Sequence, residues 1–333
     1  MIRAHLVLSE AGRTSLASAG ISTGWLCMWM KSAGAEHVDV HALNDANWAE
    51  LKGWIVVIAD DVDLMRVALA HGKRISADRD GNRTILGSDT FSLTNPERTA
   101  WFYRHEKSRV LLLPAGDVAY QRFVWLEKFN REQHLLPLLV STDENVGDLL
   151  EPGLFGMVVT SNIKQHTDGI LNDCGYLPEE QLLLLLRKYR MKLRCAESCT
   201  AGGVAARISR LPGASDILNR GWVTYSNESK QEEVGVSLKL IEKHGAVSKQ
   251  VVEAMAKGCT KRGSKDTAAI AVSGIAGPDG GTKEKPVGMV WIAVQLPGEK
   301  PVSHCFHFYG SRADVQSASV SSALAMMINE LDK

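Results

Sequence analysis

The chain has 333 residues, 45% of them hydrophobic and 23% charged, a composition that suits a soluble protein of two ordinary domains. Its 38 basic and 38 acidic side chains leave no formal net charge, which argues against nucleic acid or an anionic membrane as the main partner. There is no apolar run near the roughly 18 residues of a membrane span, the N-terminus breaks polarity too early for a signal peptide, and the six scattered cysteines predict reduced thiols in a cytoplasmic protein.

The first half alternates strand-like and helix-like segments. The predicted strands lie at residues 4–9, 38–43, 54–59, 110–114 and 135–141. The predicted helices lie at residues 23–32, 62–71 and 118–131. This alternation predicts an α/β domain with a mostly parallel or mixed sheet over about residues 1–165. Six of the eight tryptophans lie in this half, and we expect them to fill its core rather than to form a stacking surface for a ligand.

Two acidic stretches in this half raise the question of a metal site. Asp60 and Asp61 follow a strand and could hold a metal or a ribose, but we favour Asp61 as the N-cap of the next helix. Residues 78–82 resemble the start of a calcium loop, yet the glycine comes too early and no glutamate closes a twelve-residue loop, so a turn is expected. We predict no metal and no cofactor.

The second half, about residues 166–333, is more regular. Pro178 opens a helix that is expected to run to Lys188, ahead of a strand at 193–196. Ser248 is expected to cap a helix with one apolar face. The remaining predicted elements are strands at 267–272, 287–295 and 304–308 and a final helix from about Arg312 to Leu331.

The clearest chemical signal is Ser198, placed where a strand should end and a helix should begin. A serine hydroxyl becomes a useful nucleophile when a base removes its proton and nearby donors receive the negative charge. The candidate donors are backbone N–H groups at the helix start, at Thr200, Ala201, Gly202 and Gly203. The alternative is that Ser198 or Thr200 only caps the helix.

Lys230 is the candidate base. A lysine with an ordinary pKa of about 10.4 is neutral in roughly one molecule in 2,500 at pH 7, so burial or a neighbouring cation such as Arg220 must lower that pKa. Tyr225 and Ser226 could relay a proton or hold the amine. Otherwise Lys230 is a solvated surface lysine, as most lysines are.

Cys199 is the rival nucleophile, because a thiol at a helix N-terminus has a lowered pKa. A cysteine enzyme usually recruits a histidine, and no histidine lies between Ser198 and His244. Because Gly245 follows it, His244 is expected to end a helix rather than to act as a base. We therefore rank the serine above the cysteine.

A second glycine-rich loop, residues 273–281 with 284–288, has the composition of an anion cradle. Lys285 would add a positive charge to it, and Arg312 at the start of the last helix a second one. The loop lacks the Gly-Lys-Ser/Thr of a P-loop. A turn-rich connection between two strands is the structural alternative.

Five motifs in order carry a resemblance to a known family. They are Ala196-Glu197-Ser198-Cys199-Thr200 and residues 221–230, 244–248, 273–281 and 284–288. Over about residues 178–331 the chain closely resembles the C-terminal domain of the CinA family, whose members are nicotinamide-nucleotide amidohydrolases. The resemblance implies a three-layer α/β/α domain that hydrolyses nicotinamide mononucleotide to nicotinate mononucleotide and ammonia, without a metal, in pyridine-nucleotide recycling. It also implies a homodimer or larger assembly.

Residue by residue, the resemblance implies that Ser198 is the nucleophile and Lys230 the general base, with Tyr225 and Asn227 lining the same pocket. It places Ser273, Gly274 and Gly277 in the substrate-holding loop and Arg312 at a basic position. The expected catalytic residues are thus Ser198, Lys230 and Tyr225. The expected substrate-binding residues are Thr200, Ala201, Gly202, Asn227, Ser273, Gly274, Ala276, Gly277, Lys285 and Arg312.

The chain also departs from the family pattern. Ala201 replaces the first glycine of the usual Cys-Thr-Gly-Gly, and Gln316 stands where many relatives carry a second arginine. The first half lacks the Gly-Gly-x-Gly-Pro-Thr segment of the molybdopterin-biosynthesis-like domain found in full-length members, and residues 23–45 are at best a weak echo of that domain. The first half is therefore a degenerate version or an unrelated α/β domain. A nucleotide-binding or interaction protein without turnover, or an amidase for another pyridine compound, remains an alternative.

Overall fold

The structure of the chain, a computed structural model, describes residues 3–19, 21–32, 34–77, 83–92, 99–115, 135–141, 148–151, 154–160, 170–172, 176–261 and 265–333. The chain divides into two compact units, Met1–Pro137 with Gly156–His166 and Leu138–Phe155 with Thr167–Lys333. The expected boundary near residue 165 stays a prediction. Among the helices of the described ranges, none is long and apolar enough to cross a membrane.

The first unit is built on a six-stranded mixed sheet. Its first elements are β1 (Arg3–Leu8), α1 (Glu10–Ala19), α2 (Thr23–Ser32), β2 (His37–Ala42), β3 (Trp54–Ala59) and α3 (Asp61–Ala70). They are followed by β4 (Ile75–Ala77), β5 (Arg83–Ile85), β6 (Asp89–Ser92), β7 (Thr99–His105) and β8 (Ser108–Pro114). The sheet order is β2-β1-β3-β8-β7-β6, parallel from β2 to β8 and antiparallel beyond, while β4 and β5 form a separate pair. The mixed sheet is the one predicted.

The core of this unit follows from its apolar strand and its tryptophans. Every residue of β3 is buried, as a central strand covered on both faces requires. Trp25, Trp29, Trp54 and Trp101 are buried, which confirms the core prediction for these four, whereas Trp125 lies outside the described residues. A Cβ at Gly12 would lie 2.2 Å from the carbonyl oxygen of Ile58, so only glycine lets α1 approach β3 this closely.

Several details differ from the predictions for the first half. The N-cap of α3 is Asp60, whose carboxylate accepts the N–H of Asp63, and not Asp61, because Asp61 is already helical. Helix α1 and the β6–β7 pair were not predicted. The predicted helix at 118–131 and the turn at 78–82 lie outside the described residues.

Four strands in the middle of the chain form a small sheet of their own. They are β9 (Leu135–Ser141), β10 (Asp148–Glu151), β11 (Leu154–Thr160) and β12 (Ile170–Asn172), in the order β10-β11-β9-β12. β9 has the predicted bounds.

The C-terminal domain has three layers, with a five-stranded sheet between two layers of helices. Its helices are α4 (Pro178–Lys188), α5 (Gly203–Ser209), α6 (Asn227–Val234), α7 (Leu238–His244), α8 (Lys249–Lys261) and α9 (Arg312–Leu331). Its strands are β13 (Lys192–Glu197), β14 (Leu218–Val223), β15 (Thr267–Gly274), β16 (Met289–Gln295) and β17 (Val302–His307), in the order β14-β13-β15-β16-β17. β13 runs parallel to both of its neighbours, so the carboxyl ends of three strands meet at one edge.

The two faces of this sheet are covered by different helices. Apolar residues of α8, such as Val252 and Met255, pack on a sheet face made of small residues that includes Ala269 and Ala271. Helices α9 and α5 cover the other face, and α4 packs against both of these helices. This packing holds the end of β13, where Ser198 follows, between two ordered layers.

Candidate active site

Ser198 lies directly after β13, and both neighbouring strands fix its position. Its N–H donates to the carbonyl of Val272 at 2.9 Å, and the N–H of Thr224 donates to the carbonyl of Glu197 at 2.8 Å. The side chain is 9% exposed. The end of a central parallel strand therefore presents the hydroxyl at the sheet edge where clefts of α/β proteins usually open.

Lys230 reaches this hydroxyl from helix α6. Ser226 caps that helix by accepting the N–H of Ser229, which places Lys230 one turn inside it. Its Nζ lies 3.1 Å from Oγ of Ser198, and the lysine is only 1% exposed. The structure thus brings together the two residues predicted to act as nucleophile and base.

The other contacts of this amine are backbone carbonyls. Nζ donates to the carbonyl oxygens of Thr224 at 2.9 Å and Tyr225 at 3.1 Å, and more distantly to that of Ser226 at 3.4 Å. Burial is the main effect on Lys230 and lowers its pKa, while Cys199 and Glu228 oppose that change. A neutral amine has two N–H groups for the two nearer carbonyls, which leaves its lone pair for the hydroxyl proton of Ser198, the arrangement that a general base needs.

Cys199 is poorly suited to be the nucleophile. The expected lowering of its pKa by a helix N-terminus is wrong, because burial dominates and raises the pKa of the thiol to about 12. Cys199 is only 5% exposed, although it lines the pocket that opens onto Ser198 and Lys230. A thiol that stays protonated at neutral pH is a weak nucleophile, which favours Ser198.

A pocket of about 280 Å³ opens onto the Ser198–Lys230 pair. Its lining residues are Ser198, Cys199, Tyr225, Asn227, Lys230, Ala246, Val247, Ser273, Gly274, Ile275, Ala276, Gly277, Asp279, Gly280 and Arg312. All three predicted catalytic residues are among them, with six of the ten predicted substrate-binding residues. The other four, Thr200, Ala201, Gly202 and Lys285, do not line it.

Arg312 and Tyr225 meet at the rim of this pocket. The guanidinium donates to the phenol oxygen of Tyr225 at 2.7 Å and to the carbonyl of Gly277 at 2.8 Å. Gly277 has φ +85°, and a Cβ there would lie 2.6 Å from the side chain of Val287. The positive φ and the lack of space for a Cβ therefore favour glycine at this position. The carbonyl of Gly277 accepts the hydrogen bond that fixes Arg312.

The "CinA C-terminal domain" family model matches residues 177–331. Residues 177–331 are a CinA C-terminal domain. A CinA-like protein of Mycobacterium marinum is 35% identical over 243 residues, which cover 69% of this chain and 55% of that protein. A CinA-like protein of Citrifermentans bemidjiense is 47% identical over 146 residues, 44% of this chain and 35% of the relative. The chain spans about half or less of the length of the curated relatives it matches, and the family match leaves the first half unassigned.

Two solved structures are similar in sequence to part of this chain. The competence/damage inducible protein CihA from Agrobacterium tumefaciens is 34% identical, and the match covers 47% of this chain and 97% of that one with a TM-score of 0.44. A competence-damaged protein (CinA) superfamily protein from Escherichia coli is 30% identical, with 46% and 88% coverage and a TM-score of 0.44.

The start of helix α5 in the CinA domain is capped by Glu197. The N–H groups of Val204 and Ala205 donate to the carboxylate of Glu197 at 3.0 Å each, and the hydroxyl of Thr200 donates to the same carboxylate at 2.7 Å. The N–H of Gly203 donates to the carbonyl of Thr200. Glu197 therefore occupies the N–H groups of Val204 and Ala205, and the oxyanion role expected of the backbone N–H groups of residues 200–203 stays a prediction.

Ala201 and Gly202 shape the turn that leads into this helix. Ala201 has φ +51° and Gly202 has φ +95°, so both lie in the left-handed region. The N–H of Ala201 donates to the carbonyl of Ser198. The structure thus gives these two residues a part in the turn and leaves their predicted substrate contacts untested.

Lys285 also lies elsewhere than expected. Its Nζ donates to the carbonyl of His244 at 2.8 Å, at the C-terminal end of α7, where a cation satisfies an unpaired helix carbonyl. Gly245, with φ +78°, follows, which confirms that His244 ends a helix. Ser273 keeps its place in the pocket lining, with its hydroxyl donating to the carbonyl of Ala246 at 2.9 Å.

Two CinA-domain residues with structural roles at this site were not assigned any role from the sequence. Glu197 is 1% exposed, and its carboxylate accepts hydrogen bonds from the hydroxyl of Thr200 and the N–H groups of Val204 and Ala205. Gln316 departs from the family pattern, and its Nε2 donates to the carbonyl of Cys199 at 2.7 Å. The signal in the sequence for the role of Glu197 is an acidic residue at the end of a strand, one position before the expected nucleophile.

Proposed function

We propose that the CinA domain hydrolyses the carboxamide of nicotinamide mononucleotide to nicotinate mononucleotide and ammonia, with Ser198 as nucleophile and Lys230 as general base. The observation that carries this proposal is the 3.1 Å distance between Nζ of Lys230 and Oγ of Ser198, in a pocket that opens on both. The residue pair, the buried amine and the family membership of residues 177–331 support the same chemistry.

In the acylation step, neutral Lys230 takes the hydroxyl proton of Ser198 as Oγ attacks the carboxamide carbon. The C=O bond electrons move onto the oxygen, which gives a tetrahedral intermediate. The intermediate then reforms its carbonyl and expels the amide nitrogen, which takes the proton held by Lys230 and leaves as ammonia. The products of this step are an ester on Ser198 and a neutral Lys230.

In the deacylation step the same amine activates water. Lys230 takes a proton from the water as its oxygen attacks the ester carbon, and the second tetrahedral intermediate expels Oγ of Ser198. The proton returns from Lys230 to Oγ, so nicotinate mononucleotide leaves and the resting enzyme is restored. The amine must be neutral to accept a proton and charged to donate one, so a pKa lowered from the ordinary lysine value toward the operating pH makes both forms accessible during turnover.

Arg312 is the pocket residue best suited to bind the phosphate of this substrate. A guanidinium has five N–H donors and a permanent charge, and its contacts with Tyr225 and Gly277 fix the plane of the group. The ring of Tyr225, which is 55% exposed in all, offers an aromatic face to the pyridine. Asp279 also lines the pocket and carries the opposite charge, so the phosphate is expected on the Arg312 side.

The direct test is ammonia release from nicotinamide mononucleotide by the purified full-length protein. Ser198→Ala and Lys230→Met should each abolish release while the circular dichroism spectrum stays that of the unaltered protein. Lys239→Met, at an exposed lysine nine positions away on the next helix, is the matched control and should retain activity. Cys199→Ala should also retain it. Turnover of normal rate by Ser198→Ala would overturn the mechanism.

The same assay separates the two alternatives. A protein that binds nicotinamide mononucleotide in calorimetry without releasing ammonia is a nucleotide-binding protein that has lost turnover. Release of ammonia from a different pyridine carboxamide, but not from this nucleotide, keeps the Ser198–Lys230 chemistry and changes the substrate.

A further inference from the structure

Side chains of the types that bind metal ions form a cluster in the first unit, and none of them belongs to residues 177–331. His37, Asp39 and His41 occupy alternate positions of the edge strand β2, so their side chains share one face. His5, on the neighbouring parallel strand β1, pairs in register with Asp39. A His-x-Asp-x-His pattern on one strand is thus completed by a histidine from another.

The ligating atoms of three of these side chains converge. Nδ1 of His5 lies 3.1 Å from Nε2 of His41 and 3.7 Å from Oδ2 of Asp39. One ligand atom from each of the three lies within 4.8 Å of the other two. Two nitrogens bound to a tetrahedral zinc ion at about 2.0–2.1 Å are roughly 3.4 Å apart, which is close to the separation of the two imidazole nitrogens.

The burial of His5 argues for more than a surface polar cluster. His5 is 5% exposed, so its imidazole is removed from water. The contacts made by its Nδ1 all point toward His41 and Asp39. Burying an imidazole is unfavourable unless the ring gains a strong partner, and a metal ion on Nδ1 is such a partner.

We propose that His5, Asp39 and His41 bind a divalent transition-metal ion, with zinc the ion that best suits two imidazoles and one carboxylate. Three protein ligands leave a fourth position, which water can fill because Asp39 and His41 are only part-buried. His37 contacts Oδ1 of Asp39 at 3.0 Å and acts as a positioning residue for the carboxylate.

Arg3 is the residue that competes with the metal ion. Its Nε lies 2.9 Å from Oδ2 of Asp39, on the oxygen that also faces His5. The arginine side chain is 64% exposed, so it can move into solvent when a cation takes its place. Removing this competitor should therefore strengthen metal binding, an effect that a simple salt-bridged cluster does not produce.

The test is Co²⁺ binding by the full-length protein after treatment with a chelator. One Co²⁺ ion per chain is expected, with visible d–d absorption and without an intense thiolate charge-transfer band, because the ligand set contains no sulfur. Zn²⁺ should displace it. Absence of binding, or a spectrum with thiolate bands, would refute the site.

Variants locate the bound ion. His41→Ala and Asp39→Asn should each lose most of the Co²⁺ affinity, and His37→Ala should weaken it by about 10–100-fold, as loss of a supporting partner does. Arg3→Ala should bind more tightly than the unaltered protein. His304→Ala, at an exposed histidine of β17, is the control and should bind normally. Unchanged binding by both His41→Ala and Asp39→Asn would overturn the proposal, with circular dichroism checking that each variant is folded.

Discussion

Nε2 of Gln316 donates a 2.7 Å hydrogen bond to the carbonyl oxygen of Cys199, the residue directly after Ser198. This contact ties helix α9 to the turn that follows the nucleophile. A glutamine at this position therefore has a structural role in this chain, in the place where many relatives are expected to carry an arginine.

Loss of that donor should slow the chemical step. Gln316→Glu keeps the size of the side chain but replaces the amide donor by an acceptor that faces a carbonyl, and one neutral hydrogen bond contributes about 0.5–1.5 kcal/mol. We expect kcat for ammonia release to fall roughly 2–10-fold. Gln316→Arg, which restores N–H donors, should recover much of the rate. Equal rates for the unaltered protein and Gln316→Glu would show that the contact does not position Ser198.

The pH dependence of catalysis should report the buried amine. Lys230 must be neutral to accept the proton of Ser198, so kcat/KM should rise with pH until Lys230 has lost its proton in the free enzyme. Because burial lowers the pKa of Lys230, the midpoint of this rise should lie below 10.5, the ordinary value for lysine. The measurement is log kcat/KM against pH. A midpoint at or above the ordinary value, or a flat profile, contradicts the assignment of the base.

The same pKa shift should appear in stability. Between the lowered pKa of native Lys230 and its unfolded value near 10.4, the unfolded chain binds more protons than the native protein, so stability rises with pH in that window. Below the window the penalty for burying the charged amine is fully present. Lys230→Met removes this penalty, so the stability of the unaltered protein relative to the variant should improve from neutral pH to a pH near the unfolded value of about 10.4.

Urea unfolding of both proteins at the two pH values measures this difference. Lys239→Met, which alters an exposed lysine, should show the same pH dependence as the unaltered protein. A difference between Lys230→Met and the unaltered protein that stays constant with pH would mean that Lys230 titrates alike in the folded and unfolded states.

Elements with strong local patterns could be predicted from the sequence. α4 and α9 have their predicted bounds, because proline and acids mark the start of one and Arg312 begins a long helical stretch in the other. β3 also matches, since its apolar run lies between Lys52-Gly53 and Asp60. These signals are local, and the surrounding structure did not have to override them.

Other elements depend on contacts that sequence patterns do not contain. Helix α6 buries Lys230 and Val234. Because Val234 is its only apolar residue, the segment looks polar all round in the sequence and carries no amphipathic signal. Helix α1 has few apolar residues and approaches β3 through Gly12. Glu197 caps α5 by accepting the N–H groups of residues seven and eight positions later in the chain. Only the folded turn brings those N–H groups within reach of its carboxylate.

The turn between Ser198 and α5 offers a last test, at the residue where the chain departs from the family. Ala201 has φ +51°, a left-handed conformation that costs a side-chain-bearing residue about 1–2 kcal/mol. Ala201→Gly removes that strain but adds about 0.5–1 kcal/mol of backbone entropy to the cost of folding. The variant should therefore be more stable by roughly 0.5–1 kcal/mol, measured by urea unfolding.

Activity should respond differently from stability at this position. Ala201 does not line the pocket, so Ala201→Gly should leave kcat/KM for nicotinamide mononucleotide within about twofold of the unaltered value, since changes away from a site usually have small effects. Gly202→Ala is the matched control in the same turn: at φ +95° a Cβ is strained, and this variant should be less stable by about 1 kcal/mol or more. A severalfold gain in turnover by Ala201→Gly would instead place the alanine methyl against the substrate, as the loss of the family glycine first indicated.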